Sequence, residues 1–168
     1  LAAVRMIFTN LVRAYQDGDD LEAREGMAVA SFYAGLAFTK AYVGYVHAFS
    51  HTIGGRYGVP HGLCNAIVLP YVLDFLKDAP YAEARLAELA VAIGAGAESE
   101  SKAALAQRFI DRVRELNRTV GIPDKIASLK AGDVPAIARA AMIEAHRDYP
   151  VPKNMRLAEA ETLLRRCL

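Results

Sequence analysis

The feature that most restricts the fold of this chain is the spacing of its apolar side chains, which recur every three or four residues along most of its length. The clearest example is the series Leu105, Phe109, Val113 and Leu116, with charged and polar residues at many of the positions between. A period near 3.6 residues is typical of amphipathic α-helices. No segment alternates apolar and polar residues over the length of a strand, so the sequence predicts an all-α, multi-helix fold.

Turn and capping residues divide this pattern into separate helices. Asp19 or Asp20 is expected to cap the second helix, residues 54–60 are rich in glycine and predict a turn, and Pro70 predicts a kink or a break. The predicted helices cover residues 4–15, 21–36, 38–53, 61–77, 81–94, 101–120, 132–145 and 157–167.

Residues 28–50 are almost all small or apolar, and Lys40 is their only formal charge. Small side chains let helix backbones approach closely, so this stretch predicts two buried helices that cross at short distance. A membrane hairpin is the alternative. Lys40, the polar residues and the histidines argue against it, and no apolar run reaches the roughly 18 residues of a membrane span. A membrane is therefore not expected as a partner.

The composition indicates one globular domain over residues 1–168. Of these residues 54% are hydrophobic and 23% charged, which is enough to bury a core. The formal net charge is +1 and the basic residues are dispersed, so no nucleic acid partner is expected. Cys64 and Cys167 form no CxxC pair, which argues against a disulfide framework or a thiolate zinc site and favours a reduced, cytoplasmic protein.

Three of the four histidines, His47, His51 and His61, lie within fifteen residues. His47 and His51 are four apart and share one helix face, and His61 follows Pro60, where a new helix could turn its ring back toward them. Neutral imidazoles commonly bind iron and zinc. A chance pair or a hydrogen-bonded core histidine is the simpler interpretation. The apolar setting favours a site, because an unpartnered polar group there costs free energy.

Residues 44–62 read Gly-Tyr-Val-His-Ala-Phe-Ser-His-Thr-Ile-Gly-Gly-Arg-Tyr-Gly-Val-Pro-His-Gly. This segment resembles the signature of the iron-containing (group III) alcohol dehydrogenases, which runs Gly-x-x-His-x-x-x-His-x-x-Gly and then Pro-His-Gly. The similarity extends over residues 17–38 before it and 65–70 after it. The resemblance implies the helical C-terminal domain of the dehydroquinate synthase-like, iron alcohol dehydrogenase fold.

The resemblance also implies a chemistry. In this family an N-terminal α/β domain binds NAD or NADP, and the helical domain holds a divalent ion, usually Fe²⁺ and here Fe²⁺ or Zn²⁺, through one aspartate and three histidines. By motif position His47 and His61 would be metal ligands, and His51 would act near the nicotinamide in moving the proton. A small alcohol or aldehyde would be the substrate, exchanged by hydride transfer. The domain's own nucleotide-binding domain and further copies of the chain, in a homo-oligomer, are the expected partners.

Two parts of the family pattern are missing. The aspartate and the first histidine come from an Asp-x-x-x-His motif, which does not occur in these 168 residues, and no glycine-rich phosphate loop follows a strand. A start at Leu1 inside a helical pattern suggests part of something longer, inactive by itself. The alternative function is a non-catalytic helical module for self-association with relic histidines, which predicts no bound metal and an exposed apolar face.

Four further residues carry weaker expectations. Phe38, Tyr42 and Tyr149 either line the substrate side or belong to the core, and buried aromatics at helical spacing favour the core. His146, next to Arg147 and Asp148, is expected on the surface.

Overall fold

The computed structural model describes residues 1–168 and contains eight α-helices, one short 3-10 helix and no strand. The all-α fold predicted from the apolar period is therefore confirmed. None of the helices combines the length and the apolar character needed to cross a membrane. The elements are α1 (Ala2–Gln16), α2 (Leu21–Ala41), α3 (Tyr45–Tyr57), α4 (His61–Leu76), α5 (Pro80–Ala92), α6 (Lys102–Thr119), a 3-10 turn (Ala131–Asp133), α7 (Val134–Asp148) and α8 (Leu157–Arg166).

The chain divides into two compact units, each built from two separate stretches of sequence. The first unit comprises Leu1–Tyr42 and Pro80–Gly121 and contains α1, α2, α5 and α6. Within it α1 packs on α2 and α5 packs on α6. The apolar stripe of α6 is buried, and the ring of Phe109 lies 6.0 Å from the ring of Phe8 on α1. The 3.6-residue period thus encodes the buried face directly.

The contact between α1 and α2 depends on a glycine. The buried Asn10 donates from Nδ2 to the carbonyl of Met6 and lies directly against Gly26 of α2. A Cβ atom at Gly26 would be 2.5 Å from Asn10 Nδ2. The two helices can therefore approach this closely only where α2 has no side chain.

The second unit comprises Val43–Ala79 and Ile122–Leu168 and contains α3, α4, α7 and α8. Helix α3 packs on both α4 and α7, and α7 packs on α8. Both cysteines, Cys64 and Cys167, are fully buried in this core, and burial raises the pKa of the Cys167 thiol to about 12. The core side chains include Phe49, Ile53, Val68, Ile137 and Leu164.

The predicted boundary between the second and third helices is wrong. Helix α2 continues through Gly35 to Ala41, and the break falls at Tyr42, whose φ of 59° is in a region that side chains disfavour. The expectation that this stretch is buried also fails for α2, in which only Ala23 and Ala30 are buried. Small residues permit close packing but do not require it. The exposed side chains are Phe32, Tyr33, Leu36, Phe38 and Tyr42.

Two other local expectations need correction, and one is confirmed. Helix α3 runs through Gly54 and Gly55 and ends only at Gly58, which has a φ of 69°. Pro70 lies inside α4, which continues past it to Leu76, so the break is wrong and the kink stays a prediction. Of the two proposed caps for α2, Asp20 is the cap, and it accepts a hydrogen bond from the backbone N–H of Ala23.

Replacing Gly26 by Ala should destabilise the chain. The new methyl group would overlap Asn10, and overpacking of this kind costs about 1–3 kcal/mol of the free energy of unfolding. Gly35→Ala in the same helix is the matched control, because no atom lies within 4 Å of its Cβ position, and it should stabilise by about 0.5–1 kcal/mol. Urea denaturation of both variants measures the difference. Equal effects would contradict the close approach of α1 and α2.

Candidate functional site

Three imidazole rings meet on one side of the second unit. The ring centroids of His47 and His61 are 5.1 Å apart, those of His51 and His61 are 5.3 Å apart, and those of His47 and His51 are 5.8 Å apart. His47 and His51 lie one turn apart on α3, and His61 is the first residue of α4. The structure therefore brings together the three histidines singled out by their spacing.

A tight reversal of the chain between α3 and α4 brings His61 to this place. Gly58 adopts the left-handed conformation that ends α3, and Pro60 directly precedes α4. The carbonyl of Val59 returns so close to α3 that a Cβ atom at Gly54 would lie 3.2 Å from it. Gly54 leaves room for the returning carbonyl, and Gly58 supplies the left-handed conformation that the turn requires.

His47 and His61 share a partner that the sequence analysis missed. Asn65, one turn after His61 on α4, places its Nδ2 atom 2.9 Å from Nε2 of His61 and 3.4 Å from Nε2 of His47. The Nε2 lone pairs of both rings consequently point to the same small region. The Oδ1 atom of Asn65 is buried and has no hydrogen-bond partner. The four-residue spacing from His61 was the signal that could have identified Asn65.

His51 has a different set of contacts. Its Nδ1 atom lies 2.7 Å from Oε1 of Glu144 on α7, and the hydroxyl of Tyr149 donates to the same oxygen. No sequence pattern could have paired His51 with Glu144, because the two residues are 93 positions apart.

The environment of His47 favours its neutral form. Burial lowers its pKa, the neighbouring His61 and His51 lower it further, and only the carboxylate of Glu144 acts in the opposite direction. A neutral imidazole keeps a lone pair on one ring nitrogen, which a metal ion requires. His47 is half-buried, whereas His51 and His61 are more exposed.

The donor atoms fit part of a site for iron or zinc. Imidazole nitrogens suit both ions, and His47 and His61 offer two that converge on the Nδ2 atom of Asn65. No set of three His, Cys, Asp or Glu side chains in the chain is arranged to hold an ion by itself.

An ion pair anchors the end of α3 to the start of α7. Arg56 and Tyr57, the last residues of α3, both bond the carboxylate of Asp133, the residue that precedes α7. The bond from Arg56 and then that from Tyr57 hold the pKa of Asp133 below its ordinary value. The anchor joins the helix that carries His51 to the helix that carries Glu144.

The remaining expectations separate into two groups. Phe38 and Tyr42 are exposed, at 53% and 64%, so the core interpretation is wrong for them. Tyr149 is half-buried against the core of the second unit and also contacts Glu144. His146 is exposed, as predicted, and its Nε2 atom lies 3.1 Å from the hydroxyl of Tyr45.

Comparison with known proteins gives one consistent result. A family model described as "Fe-containing alcohol dehydrogenase family, C-terminal" matches residues 1–168. Alcohol dehydrogenase 4 of Saccharomyces cerevisiae is 40% identical over 154 residues, which cover 90% of this chain and 39% of the yeast protein. The 1,3-propanediol dehydrogenase of Klebsiella pneumoniae is 39% identical over 145 residues, which cover 84% of this chain and 37% of that protein.

Solved structures agree with these relatives. The alcohol dehydrogenase from Oenococcus oeni superposes with a TM-score of 0.92 at 31% identity, over 99% of this chain and 43% of the other. The chain thus spans about two fifths of the length of the relatives that it matches.

Replacing Asp133 by Asn should destabilise the chain at neutral pH and less so in acid. The folded-state pKa of Asp133 is lowered, so the stability from this carboxylate is complete above its unfolded-state pKa, about 3.9, and is lost as the pH falls through the lower folded-state value. The difference between wild type and variant should therefore shrink below a pH of about 4. Urea denaturation over a pH series measures it.

Asp111→Asn is the control for this prediction. Asp111 pairs with Arg114 on the exposed surface of α6, where an ion pair contributes little. A pH profile that is the same for both variants would contradict the anchoring role of Asp133.

Proposed function

Because the chain belongs to the iron-containing alcohol dehydrogenase family, we propose that it is the C-terminal, metal-binding part of an NAD- or NADP-linked alcohol dehydrogenase. The observation that carries the proposal is the convergence of Nε2 of His47 and Nε2 of His61 on Asn65, while His51 contacts Glu144 instead. His47 and His61 share one amide as their partner, whereas His51 has a carboxylate. This difference supports two different roles for the three rings.

In this proposal His47 and His61 are ligands of a divalent ion, Fe²⁺ or Zn²⁺. When bound, the ion supplies Lewis-acid stabilisation of charge on the substrate oxygen. Burial of His47 favours the neutral ring that a ligand must have. Asn65 would hold both rings in place before an ion binds, and its amide would then have to turn away from the two Nε2 atoms.

His51 would carry the proton rather than bind the ion. Its Nδ1 atom already contacts a carboxylate, and its side chain is 44% exposed, so the ring has a route to solvent. An imidazole can accept a proton on one nitrogen and donate one from the other, which suits this step. The substrate class that follows is a small alcohol or aldehyde that exchanges a hydride with the nicotinamide.

Two apolar surfaces are where a further part of the protein would pack. One is the exposed face of α2, formed by Phe32, Tyr33 and Leu36. The other is a hollow of about 370 Å³ between α3 and α4, lined by His47 and apolar side chains that include Val46, Leu69 and Leu73. An N-terminal nucleotide-binding region, which would also supply the remaining ligands, is the partner that we propose for them.

The exposed face of α2 also fits a second candidate function, a non-catalytic module that associates with copies of itself. An apolar face of this kind is typical of an interaction surface in either case. The two functions differ at the histidines, which matter only in the first. Assembly into a homo-oligomer stays a prediction, which sedimentation of the purified chain would measure.

The chain should bind zinc weakly through His47 and His61. Isothermal titration calorimetry with zinc ions should give a dissociation constant that rises at least about tenfold in His47→Ala and in His61→Ala, since each removes one of two imidazole donors. His146→Ala is the control, because this exposed histidine contacts Tyr45 and should leave the affinity unchanged. Absence of binding, or equal losses in all three variants, would favour the non-catalytic module.

Joined to a nucleotide-binding region, the chain should support alcohol oxidation. We suggest a chimera in which it replaces the matching region of the Klebsiella pneumoniae 1,3-propanediol dehydrogenase. With added iron, 1,3-propanediol and either nicotinamide cofactor, reduced nicotinamide should form and be followed by its absorbance. His61→Ala should lower the rate at least about tenfold. A folded, metal-loaded chimera without activity would contradict the proposal.

A further inference from the structure

Glu144 receives two hydrogen-bond contacts on one oxygen atom. Nδ1 of His51 lies 2.7 Å from Oε1, and the hydroxyl of Tyr149 donates to the same Oε1. His51 is on α3, Glu144 is on α7, and Tyr149 directly follows α7. Three separate points of the chain thus meet at one carboxylate oxygen, which restricts the orientation of all three side chains.

The nearest cation on α7 is hydrogen-bonded to a carboxylate other than Glu144. Arg147, one turn further along α7, holds the carboxylate of Asp148 with two bonds of 2.8 and 2.9 Å. The side chain of His51 is 44% exposed and that of Glu144 is 27% exposed, so water reaches this contact. The contact therefore matters for the orientation of the ring more than for stability.

The direction of these two bonds fixes where the protons are. An ionised carboxylate can only accept hydrogen bonds. Burial, followed by the contact with Glu144, raises the pKa of Tyr149 to about 12, so this phenol keeps its proton and donates it. The contact with His51 then requires a proton on Nδ1. A neutral imidazole protonated on Nδ1 has its lone pair on Nε2.

We propose that Glu144, held by Tyr149, is a positioning residue that fixes the ring of His51 with a proton on Nδ1 and with Nε2 as the proton acceptor. The part played by His51 in proton transfer rests on the proposed function. The orientation of the ring and its tautomer are properties of the chain itself and can be measured without metal, cofactor or substrate.

The test is the tautomer of His51 in the nitrogen-15-labelled, metal-free chain, read from long-range proton–nitrogen NMR spectra at a pH of about 8, where an ordinary imidazole is neutral. Wild-type His51 should be in the Nδ1–H form. In Glu144→Gln the amide can donate to Nδ1, so the ratio of the Nδ1–H to the Nε2–H form should fall at least about tenfold. A merely structural role of Glu144 would not change this ratio.

Three further variants serve as controls and as a second test of the tautomer of His51. Glu144→Asp keeps a carboxylate and should retain most of the Nδ1–H form, whereas Glu98→Gln, in an exposed loop of the first unit, should leave the spectrum unchanged. Tyr149→Phe removes one donor from Oε1 and should lower the ratio by a smaller factor, about two- to tenfold. It serves as the second variant should Glu144→Gln fail to fold.

Two results would overturn the proposal. One is an Nε2–H form of His51 in the wild-type chain, which needs no variant at all. The other is the same tautomer ratio in the wild type and in Glu144→Gln or Tyr149→Phe. Failure of zinc binding would count against the metal-binding function without changing either spectrum, so the two hypotheses fail separately.

Discussion

The close approach of the Val59 carbonyl to Gly54 is the constraint on which the rest of the site depends. Because no side chain can stand at Gly54 without pushing this carbonyl away, α3 and α4 are joined by a reversal of only three residues. The reversal places the first residue of α4 beside the face of α3. Gly54, through this close approach, and Gly58, through its positive φ, therefore shape the site although neither takes part in chemistry.

The second unit gives the same residue type two different kinds of partner. His47 and His61 contact an amide through Nε2, whereas His51 contacts a carboxylate through Nδ1. An amide cannot compete strongly for a lone pair, but a carboxylate fixes a proton on the ring nitrogen that it touches. The partner of each ring, rather than the spacing of the histidines, separates a candidate ligand from a candidate proton carrier.

Features that depend on local sequence could be predicted, and features that depend on distant packing could not. The period of α6, the Asp20 cap and the grouping of the histidines all follow from neighbours within a few residues. Asn65 carried a local signal that was missed. The end of α2 was misplaced because small residues fit helix interiors and crossings equally well. Glu144 had no signal, since only the packing of α3 on α7 brings it to His51.

The order in which the two units alternate along the chain has a consequence for biosynthesis. Residues 43–79 belong to one unit and residues 80–121 to the other, so α3 and α4 leave the ribosome well before α7, on which α3 packs. At about 5–20 residues per second, the 93 positions that separate His51 from Glu144 correspond to several seconds of translation. Throughout that interval α3 has to do without the packing that α7 provides in the folded chain.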